Sequence, residues 1–181
     1  MSRNTTNLDS SINIHPQDIG KLKYDAKKRL AQDTATSPKI LNQLASDKSR
    51  NIRKIVACNP RTPPEALDRL ADDVRVVQRG VDLNPNASSK TLDRLAGRRP
   101  ANVIRNPSAP KHILDTYAKH PFSHYRRYVA ENSGTDPSTL NKLLGDEALE
   151  VREAVQRNPS FIGSILRRVS IGTLSEKAGT L

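Results

Sequence analysis

Apolar positions recur along this chain in a pattern that repeats about every 26 residues. Each copy is anchored on an Asn-Pro-like step, with an apolar residue three positions before the anchor and mostly leucines eight and eleven positions after it. The six anchors are Asp33, Asn59, Asn84, Asn106, Asn132 and Asn158, at spacings of 26, 25, 22, 26 and 26 residues. A period of this length predicts stacked units that bury their apolar faces only against their neighbours.

Each copy predicts two short helices. In the copy at 59–83, the double proline at 63–64 opens a first helix, helix A, because proline is tolerated at the first helical position. Leu67 and Leu70 then share one face of that helix. A second helix, helix B, ends at the next Asn-Pro step, since the residue before proline disfavours helical geometry and Asn tolerates the left-handed conformation. The expected N-caps of helix B are Asp47, Asp73 and Asp146.

The pattern predicts an all-α fold, because no segment alternates polar and apolar residues with a period of two. The expected architecture is an α-solenoid of about five to six short two-helix repeats. Residues 1–20 are polar and unpatterned and are predicted to be disordered, residues 21–169 form the solenoid, and residues 170–181 leave the pattern as a loose tail. Isolated helices of this length are marginal in water, so stacking has to stabilise them.

The composition agrees with thin repeats rather than one compact core. Only 35% of the residues are hydrophobic, and the chain has two Phe, four Tyr and no Trp. The single cysteine, Cys58, excludes a disulfide framework and fits a reducing compartment. No apolar run is long enough to span a membrane, and the N-terminal segment lacks the pattern of a secretory signal. We therefore expect a soluble, cytoplasmic protein.

The positive charge is unevenly distributed along the chain. The formal net charge is +11, with +6 in residues 1–58 and +6 in residues 84–131. Residues 59–83 and 132–157 are slightly acidic, at −1 and −2. This alternation predicts a basic patch on the folded surface rather than a uniformly basic tail.

Two segments carry a resemblance to a known family. NPRTPPEALDRLADD at 59–73 and VREAVQRNPS at 151–160 follow the order Asn-Pro-x-Thr-Pro, Leu-x-x-Leu-Ala, Asp, Val-Arg-x-x-Val-Ala. At these columns the chain resembles the bacterial leucine-rich repeat variant family, over roughly residues 30–169. The resemblance implies alternating α- and 3₁₀-helices in a right-handed superhelix. Some members carry a Cys-rich iron–sulfur domain, but a chain with one cysteine does not match it, so no cofactor is expected.

The spacing Asp-x5-Arg is similar to the Asp/Arg ladder of HEAT-type repeats, in which each arginine bridges carboxylates of adjacent repeats. Arginine can pair with a carboxylate through two hydrogen bonds, so this spacing favours a structural role. The expected ladder residues are Asp47 with Arg53, Asp73 with Arg79, and Asp146 with Arg152. In a fourth copy His120 replaces the aspartate, which leaves Arg126 open between a structural and a binding role.

The copy at 84–105 is the irregular one. It has 22 residues instead of 26, which removes about one helical turn and predicts a kink. The segment 120–129 that follows interleaves basic and aromatic residues, a combination that can hold phosphates while stacking bases. Its tyrosines could equally fill the space that the shortened helix leaves. The candidate partner-binding residues are Lys54, Arg98, Arg99, Arg105, Arg126, Arg127 and Tyr128.

The sequence contains no recognisable catalytic or metal-binding motif. His120 and His124 are four positions apart, but Pro121 lies between them and no third ligand is evident. Gly-rich phosphate loops, paired-carboxylate motifs and nucleophile elbows are absent, and neither a small-molecule substrate nor a glycosylase-like active site is indicated. The expected function is a non-catalytic scaffold that binds an acidic protein through a concave helix-B face. The alternative is binding to a nucleic-acid backbone around residues 98–128.

Overall fold

The computed structural model describes residues 16–167, and all regular structure in that range is helical. A 3₁₀-helix at Pro16–Lys21 comes first. The B helices are α1 (Tyr24–Gln32), α3 (Arg50–Cys58), α5 (Arg75–Leu83), α7 (Pro100–Ile104), α9 (Ser123–Glu131) and α11 (Leu149–Arg157). The A helices alternate with them: α2 (Pro38–Leu44), α4 (Pro64–Leu70), α6 (Ser89–Ala96), α8 (Lys111–Tyr117) and α10 (Pro137–Leu143). Residues 159–167 are also helical.

The predicted apolar columns form the core. The valines three residues before the anchors are fully buried, and the leucines eight residues after the first five anchors are at most 2% exposed. They are Val56, Val81, Val103, Val129 and Val155, and Leu41, Leu67, Leu92, Leu114 and Leu140. The sixth copy departs from the pattern, since Leu166 is 62% exposed and Phe161 is buried instead. The predicted all-α solenoid is confirmed.

The structure decides between the two kinds of helix A that the resemblance left open, and one local expectation is wrong. The A helices are short α-helices, not the 3₁₀-helices that the family resemblance allowed. The aspartates expected as N-caps lie ahead of their helices: α3 begins after Ser49 and α11 after Ala148. Asp47 and Asp146 instead accept the backbone N–H groups of Ser49 and Ala148, so they close the turn that leads into helix B.

The B helices form the tightly packed layer of the stack. A Cβ atom added to Gly80 on α5 would lie 2.7 Å from the Cβ atom of Ala57 on α3, and 3.0 Å from the Ala57 carbonyl carbon. Glycine therefore permits a close approach that any side chain would prevent. The A helices contact one another largely through polar groups: Arg69 of α4, for example, donates to the Asn42 carbonyl oxygen on α2.

A ladder of buried asparagines joins consecutive repeats through their backbones. The Nδ2 group of Asn84 donates to the carbonyl oxygens of Ala57 and Asn59, both at 2.8 Å, and its Oδ1 atom accepts the N–H of Asn86. The same three bonds recur at Asn59, Asn106, Asn132 and Asn158. The side-chain amide satisfies carbonyl groups that would otherwise be unpaired at the end of the preceding helix B.

The left-handed backbone conformation that the sequence suggested is not the reason for asparagine at the ends of the B helices. Asn59 has φ −75° and ψ 123°, and no non-glycine residue in the described range has a positive φ. Asparagine is therefore used for its two donors and one acceptor, not for left-handed backbone. Asp33 occupies the first anchor position, where its Oδ1 atom accepts the Ala35 N–H and no repeat with the predicted pattern precedes it.

The short copy contains a truncated B helix. Helix α7 has five residues where the neighbouring α5 and α9 have nine, and it begins after Arg99, whose φ of −147° and ψ of 59° lie outside regular helix or strand geometry. Val103 and Ile104 are still fully buried, so the core columns continue through the short repeat. What is missing is the first turn of helix B, and the residues Arg98 and Arg99 occupy that part of the stack.

The predicted segment boundaries are only partly covered by the described residues. Most of 1–20 and all of 170–181 lie outside them, together with Val169. Residues 16–20 belong to the first 3₁₀-helix, and Ile19 is 4% exposed within the core. The packed structure therefore begins ahead of residue 21.

Candidate binding surface

The ladder arginines reach forward to the next repeat. The Nε and Nη2 groups of Arg53 donate to the two carboxylate oxygens of Asp73 at 2.6 and 3.0 Å. Its Nη1 group donates to the backbone carbonyl oxygens of Asp47 and Lys48 in its own repeat. Arg53 thus joins one carboxylate to two backbone carbonyls, and its hydrogen bonds are the largest cause of the lowered pKa of Asp73. Lys27 fills the same position in the preceding repeat, donating to Asp47.

Arg126 has this same ladder geometry, so it is not an open binding candidate. Its guanidinium binds both carboxylate oxygens of Asp146 at 2.7 and 2.9 Å, and Nη1 donates to the carbonyl oxygens of His120 and Pro121. Only 7% of the residue is exposed. The loss of aspartate at position 120 has no effect on this pair, because the carboxylate partner comes from the following repeat and the local partner is a backbone carbonyl.

Arg152 and Arg79 depart from the ladder in different ways. Arg152 donates to the carbonyl oxygens of Asp146 and Glu147, without a carboxylate partner in the part of the chain that is described. Arg79 is exposed and has no ion pair among residues 16–167, because Arg99 stands 20 positions on, where Arg53 and Arg126 have an aspartate. In the short repeat, the ladder position that elsewhere holds an aspartate acceptor therefore holds a second cation, Arg99.

Arg99 turns back to a buried carboxylate on α5. Its Nε atom lies 2.9 Å from Oδ2 of Asp82, whose side chain is completely buried, and its Nη1 group donates to Oε1 of Gln78. Asn102 also donates to Oδ2 of Asp82. Burial raises the pKa of Asp82, an effect that Asn102 and Arg99 oppose only in part. Arg99 is therefore mainly a structural residue. The binding role proposed for it from the sequence would have to use the N–H groups that Asp82 and Gln78 leave unpaired.

An open depression lies between α5 and α7. It has a volume of about 540 Å³ and is lined by the side chains of four arginines, with Asn102, Leu83 and Tyr125 completing the wall. The arginines are Arg75, Arg79, Arg98 and Arg99. Arg75 and Arg79 are one helical turn apart on α5 and so share a face. The sequence drew attention to Arg98 and Arg99, but not to Arg75, which only the stacking of α5 on α7 brings beside them.

Arg105, Arg127 and Tyr128 form a second group. The guanidinium carbon of Arg105 lies 3.8 Å above the Tyr128 ring centroid, and that of Arg127 lies 5.4 Å from it. Both distances are within the range of a cation–π interaction. Arg127 also pairs with Glu131 at 3.4 Å. The group is therefore partly satisfied within the protein, and Lys54, the remaining candidate, is exposed two repeats away on α3.

Phe122 is a surface aromatic that sequence analysis did not single out. It is 61% exposed and stacks on His124, with ring centroids 5.7 Å apart and an interplanar angle of 12°. His120, Tyr125 and Tyr128 extend this cluster of rings inward. The residues directly before the other B helices include Ser49, Val74 and Ala148 but no aromatic residue, and this difference was the available signal.

Neither a metal cluster nor a membrane span is found in the described range. Within residues 16–167, no three His, Cys, Asp or Glu side chains are arranged to hold a metal ion. The helices of that range include none that is long and apolar enough to cross a membrane. Burial of its sulfur raises the pKa of the Cys58 thiol, which reduces its thiolate fraction.

The repeat sequence matches a known family. The family model described as "Leucine rich repeat variant" matches residues 50–74, which comprise α3, α4 and the loop between them. No curated protein matches the chain. Among solved structures, a similar one is described as "a leucine-rich repeat variant with a novel repetitive protein structural motif", with 24% identity over 73% of this chain and a TM-score of 0.47. The chain spans 55% of the length of that structure. The resemblance seen in the repeat columns is confirmed over residues 50–74, where the chain matches the leucine-rich repeat variant model.

Proposed function

We propose that this protein is a non-catalytic repeat scaffold that binds an acidic protein partner across its layer of B helices. The observation that carries the proposal is that the two layers differ in how many acidic residues balance their lysines and arginines. The five A helices carry six lysines and arginines and four acidic residues, and two of the cations, Arg94 and Lys111, are paired with carboxylates. Helices α3, α5 and α7 of the B layer carry five lysines and arginines and one acidic residue, the buried Asp82. Such a surface attracts an acidic partner over a distance and selects against basic ones.

Two cations of the A layer are paired with carboxylates of their own or a neighbouring repeat. Arg94 of α6 pairs with Asp68 and Asp72 at 3.0 Å each, which ties it to the preceding repeat. Lys111 of α8 contacts Asp115 and Asp136. These pairs are exposed and contribute little stability each, but they neutralise the charges of Arg94 and Lys111 on this side of the stack.

The B layer lacks this compensation at its centre. Helix α3 carries Arg50 and Lys54 at its surface and no acidic residue. Helix α5 exposes Arg75 and Arg79, and its one carboxylate, Asp82, is buried beneath them. The tight packing of this layer supports a concave shape, because a stack whose layers differ in spacing curves toward the closer one. A curved repeat surface of this kind is typical of binding to an extended partner.

Charge reversal in each layer tests the proposal. Lys54→Glu combined with Arg98→Glu changes two exposed B-layer cations, and Lys39→Glu combined with Lys90→Glu is the matched change on α2 and α6. Immobilised wild-type protein and both variants are incubated with nuclease-treated extract of the source cell. We expect an acidic protein to bind the wild type and the A-layer variant but not the B-layer variant. Equal binding by the two variants would rule out the B layer as the interface.

Binding to single-stranded nucleic acid is the second candidate, and the exposed Phe122 favours it. Its ring stacks on His124 beside the Arg105–Tyr128 pair, and stacked rings next to guanidinium groups are typical of surfaces that hold unpaired bases. The test is the salt dependence of oligonucleotide binding. Neutralising about six phosphates of a single strand predicts a slope of log K against log salt of about −4, and Phe122→Ala should weaken binding. A slope near zero excludes this candidate.

A further inference from the structure

We propose that the depression lined by Arg75, Arg79, Arg98 and Arg99 is a binding site for a phosphate monoester carried by the acidic protein partner, such as a phosphorylated serine or threonine. This inference rests on the proposed function and deepens it, because it names the chemical group that the B layer recognises. It concerns one place in the B layer, the junction where the short repeat removes the first turn of helix B.

The donors around the depression suit a compact dianion. Guanidinium groups present N–H donors in a planar fork that matches phosphate oxygens, and a phosphoserine carries close to two negative charges near pH 7. Four arginines line one depression of about 540 Å³, which is large enough for a phosphorylated side chain. Among the described residues that line it there is no aspartate or glutamate, and Asp82, the partner of Arg99, is completely buried. The surface therefore concentrates more positive charge than its own acidic residues neutralise.

Arg99 is held in place before any ligand binds. Asp82 fixes its Nε atom and Gln78 accepts from Nη1, which leaves 12% of the side chain exposed. Its Nη2 group has no hydrogen-bond acceptor within the described residues, even though this atom is buried. A buried guanidinium N–H group without an acceptor is unfavourable, so a small rotation of the Arg99 guanidinium toward an anion in the depression would satisfy a donor that the protein leaves open. Preorganisation of this kind reduces the entropy lost on binding.

The convergence of the arginines favours a phosphate monoester over a nucleic-acid backbone. A phosphodiester carries one negative charge, and successive phosphates are spread along the strand, so backbone binding is served by a row of spaced cations. Here four arginines line one depression, while the neighbouring Arg105 is engaged by the Tyr128 ring and Arg127 by Glu131. A single group with higher charge density matches the depression better.

Three fluorescein-labelled peptides test the inference by fluorescence anisotropy. Each has three glutamates on either side of a central residue, which is serine, phosphoserine or glutamate. We expect the phosphoserine peptide to bind about tenfold or more tightly than the other two, because two or three charge-assisted hydrogen bonds are added. Arg79→Ala combined with Arg98→Ala should abolish that difference. Arg50→Ala combined with Lys54→Ala, in the same layer but outside the depression, should weaken all three peptides alike.

The possible outcomes separate this inference from the proposed function. Equal affinity of the wild type for the three peptides would overturn the phosphate site and leave an acidic-protein interface standing. No binding of any peptide would overturn both. A preference for phosphoserine that survives Arg79→Ala with Arg98→Ala would place the phosphate elsewhere and overturn the site. Displacement of the phosphoserine peptide by an oligonucleotide of equal charge, at a lower concentration than by free phosphoserine peptide, would overturn it in favour of nucleic acid.

Discussion

Arg126 and Asp146 form a two-pronged ion pair between consecutive repeats. The guanidinium donates to both carboxylate oxygens, and the two side chains are only 9% and 7% exposed. Arg53 and Asp73 have the same arrangement nearer the N-terminus of the solenoid. The residues of each pair are 20 positions apart. The pair therefore acts between repeats, and its removal should weaken the stack rather than one helix.

Arg126→Met is expected to reduce the free energy of unfolding by about 3 kcal/mol at pH 7, because it leaves a buried carboxylate without its partner. Hydrogen bonds from Arg126 are the main cause of the lowered pKa of Asp146. A carboxyl group with a lowered folded-state pKa stabilises the fold above its unfolded pKa, and this contribution is lost as the pH falls. The difference between variant and wild type should therefore shrink below about pH 4. Urea unfolding at several pH values measures this, with the exposed Arg157→Met as control.

Asn106→Asp should destabilise the fold by about 3 kcal/mol or more, although the side chains have nearly the same shape. The Nδ2 group of Asn106 donates to the carbonyl oxygens of Asp82 and Asn84, and an aspartate would place a carboxylate oxygen against both. Asp33→Asn is the matched reciprocal change at an exposed anchor, and it should be close to neutral. Thermal unfolding of both variants gives the comparison. Equal effects would contradict a structural role for the asparagine ladder.

Gly80→Ala should cost about 1–3 kcal/mol despite the higher helix propensity of alanine, because the new Cβ atom would meet Ala57 at 2.7 Å. The obstacle is a Cβ and a backbone atom, neither of which can move without shifting helix α3. Gly97→Ala is the control: nothing lies within 4 Å of its added Cβ, and its φ is −64°. That change should be neutral or stabilising by up to about 1 kcal/mol. Chemical denaturation of both variants measures the difference between their free energies of unfolding.

Arg99→Ala should destabilise the protein in a way that depends on pH. The substitution leaves Asp82 buried without its cation, which at pH 7 should cost about 3 kcal/mol. Burial already raises the pKa of Asp82 above its ordinary value of 3.8. A carboxyl with a raised folded-state pKa favours folding when protonated, and this contribution is lost as the pH rises through the folded-state pKa. The deficit of the variant should therefore diminish on acidification, and Asp82→Asn with Arg99→Ala should recover stability at pH 7.

Arg79→Ala and Arg98→Ala should change stability by less than about 0.5 kcal/mol each, in contrast to Arg99→Ala. Both side chains are exposed, and neither has an ion pair within residues 16–167. Removing one of several neighbouring cations also relieves like-charge repulsion. Unfolding curves that overlay the wild type would show that these arginines are not needed for the fold. A large loss of stability would mean that they have structural partners.

The repeat columns, the two helices of each unit and the all-α solenoid could be predicted from the sequence alone. Their cause is local: an apolar residue at a fixed distance from an Asn-Pro step specifies which face of a short helix is buried. The same periodicity located the short copy, whose helix α7 lacks its first turn. The pattern could not show why asparagine stands at the anchors, since the acceptors of its amide lie about one repeat earlier in the chain.

Only the tertiary structure decided which arginines are available for binding. The Asp-x5-Arg spacing predicted that each arginine bridges carboxylates of adjacent repeats. In the structure, the carboxylate that Arg53 or Arg126 binds at both oxygens is 20 residues downstream, and the local contact is to backbone carbonyls. Arg126 therefore belongs to the stack, and Arg99 is tied to Asp82, while Arg75 joins the depression from another helix. The periodic pattern of apolar residues specifies which side chains each repeat buries. The contacts between units depend on how they stack, and a cation is free or paired according to what the neighbouring repeat places beside it.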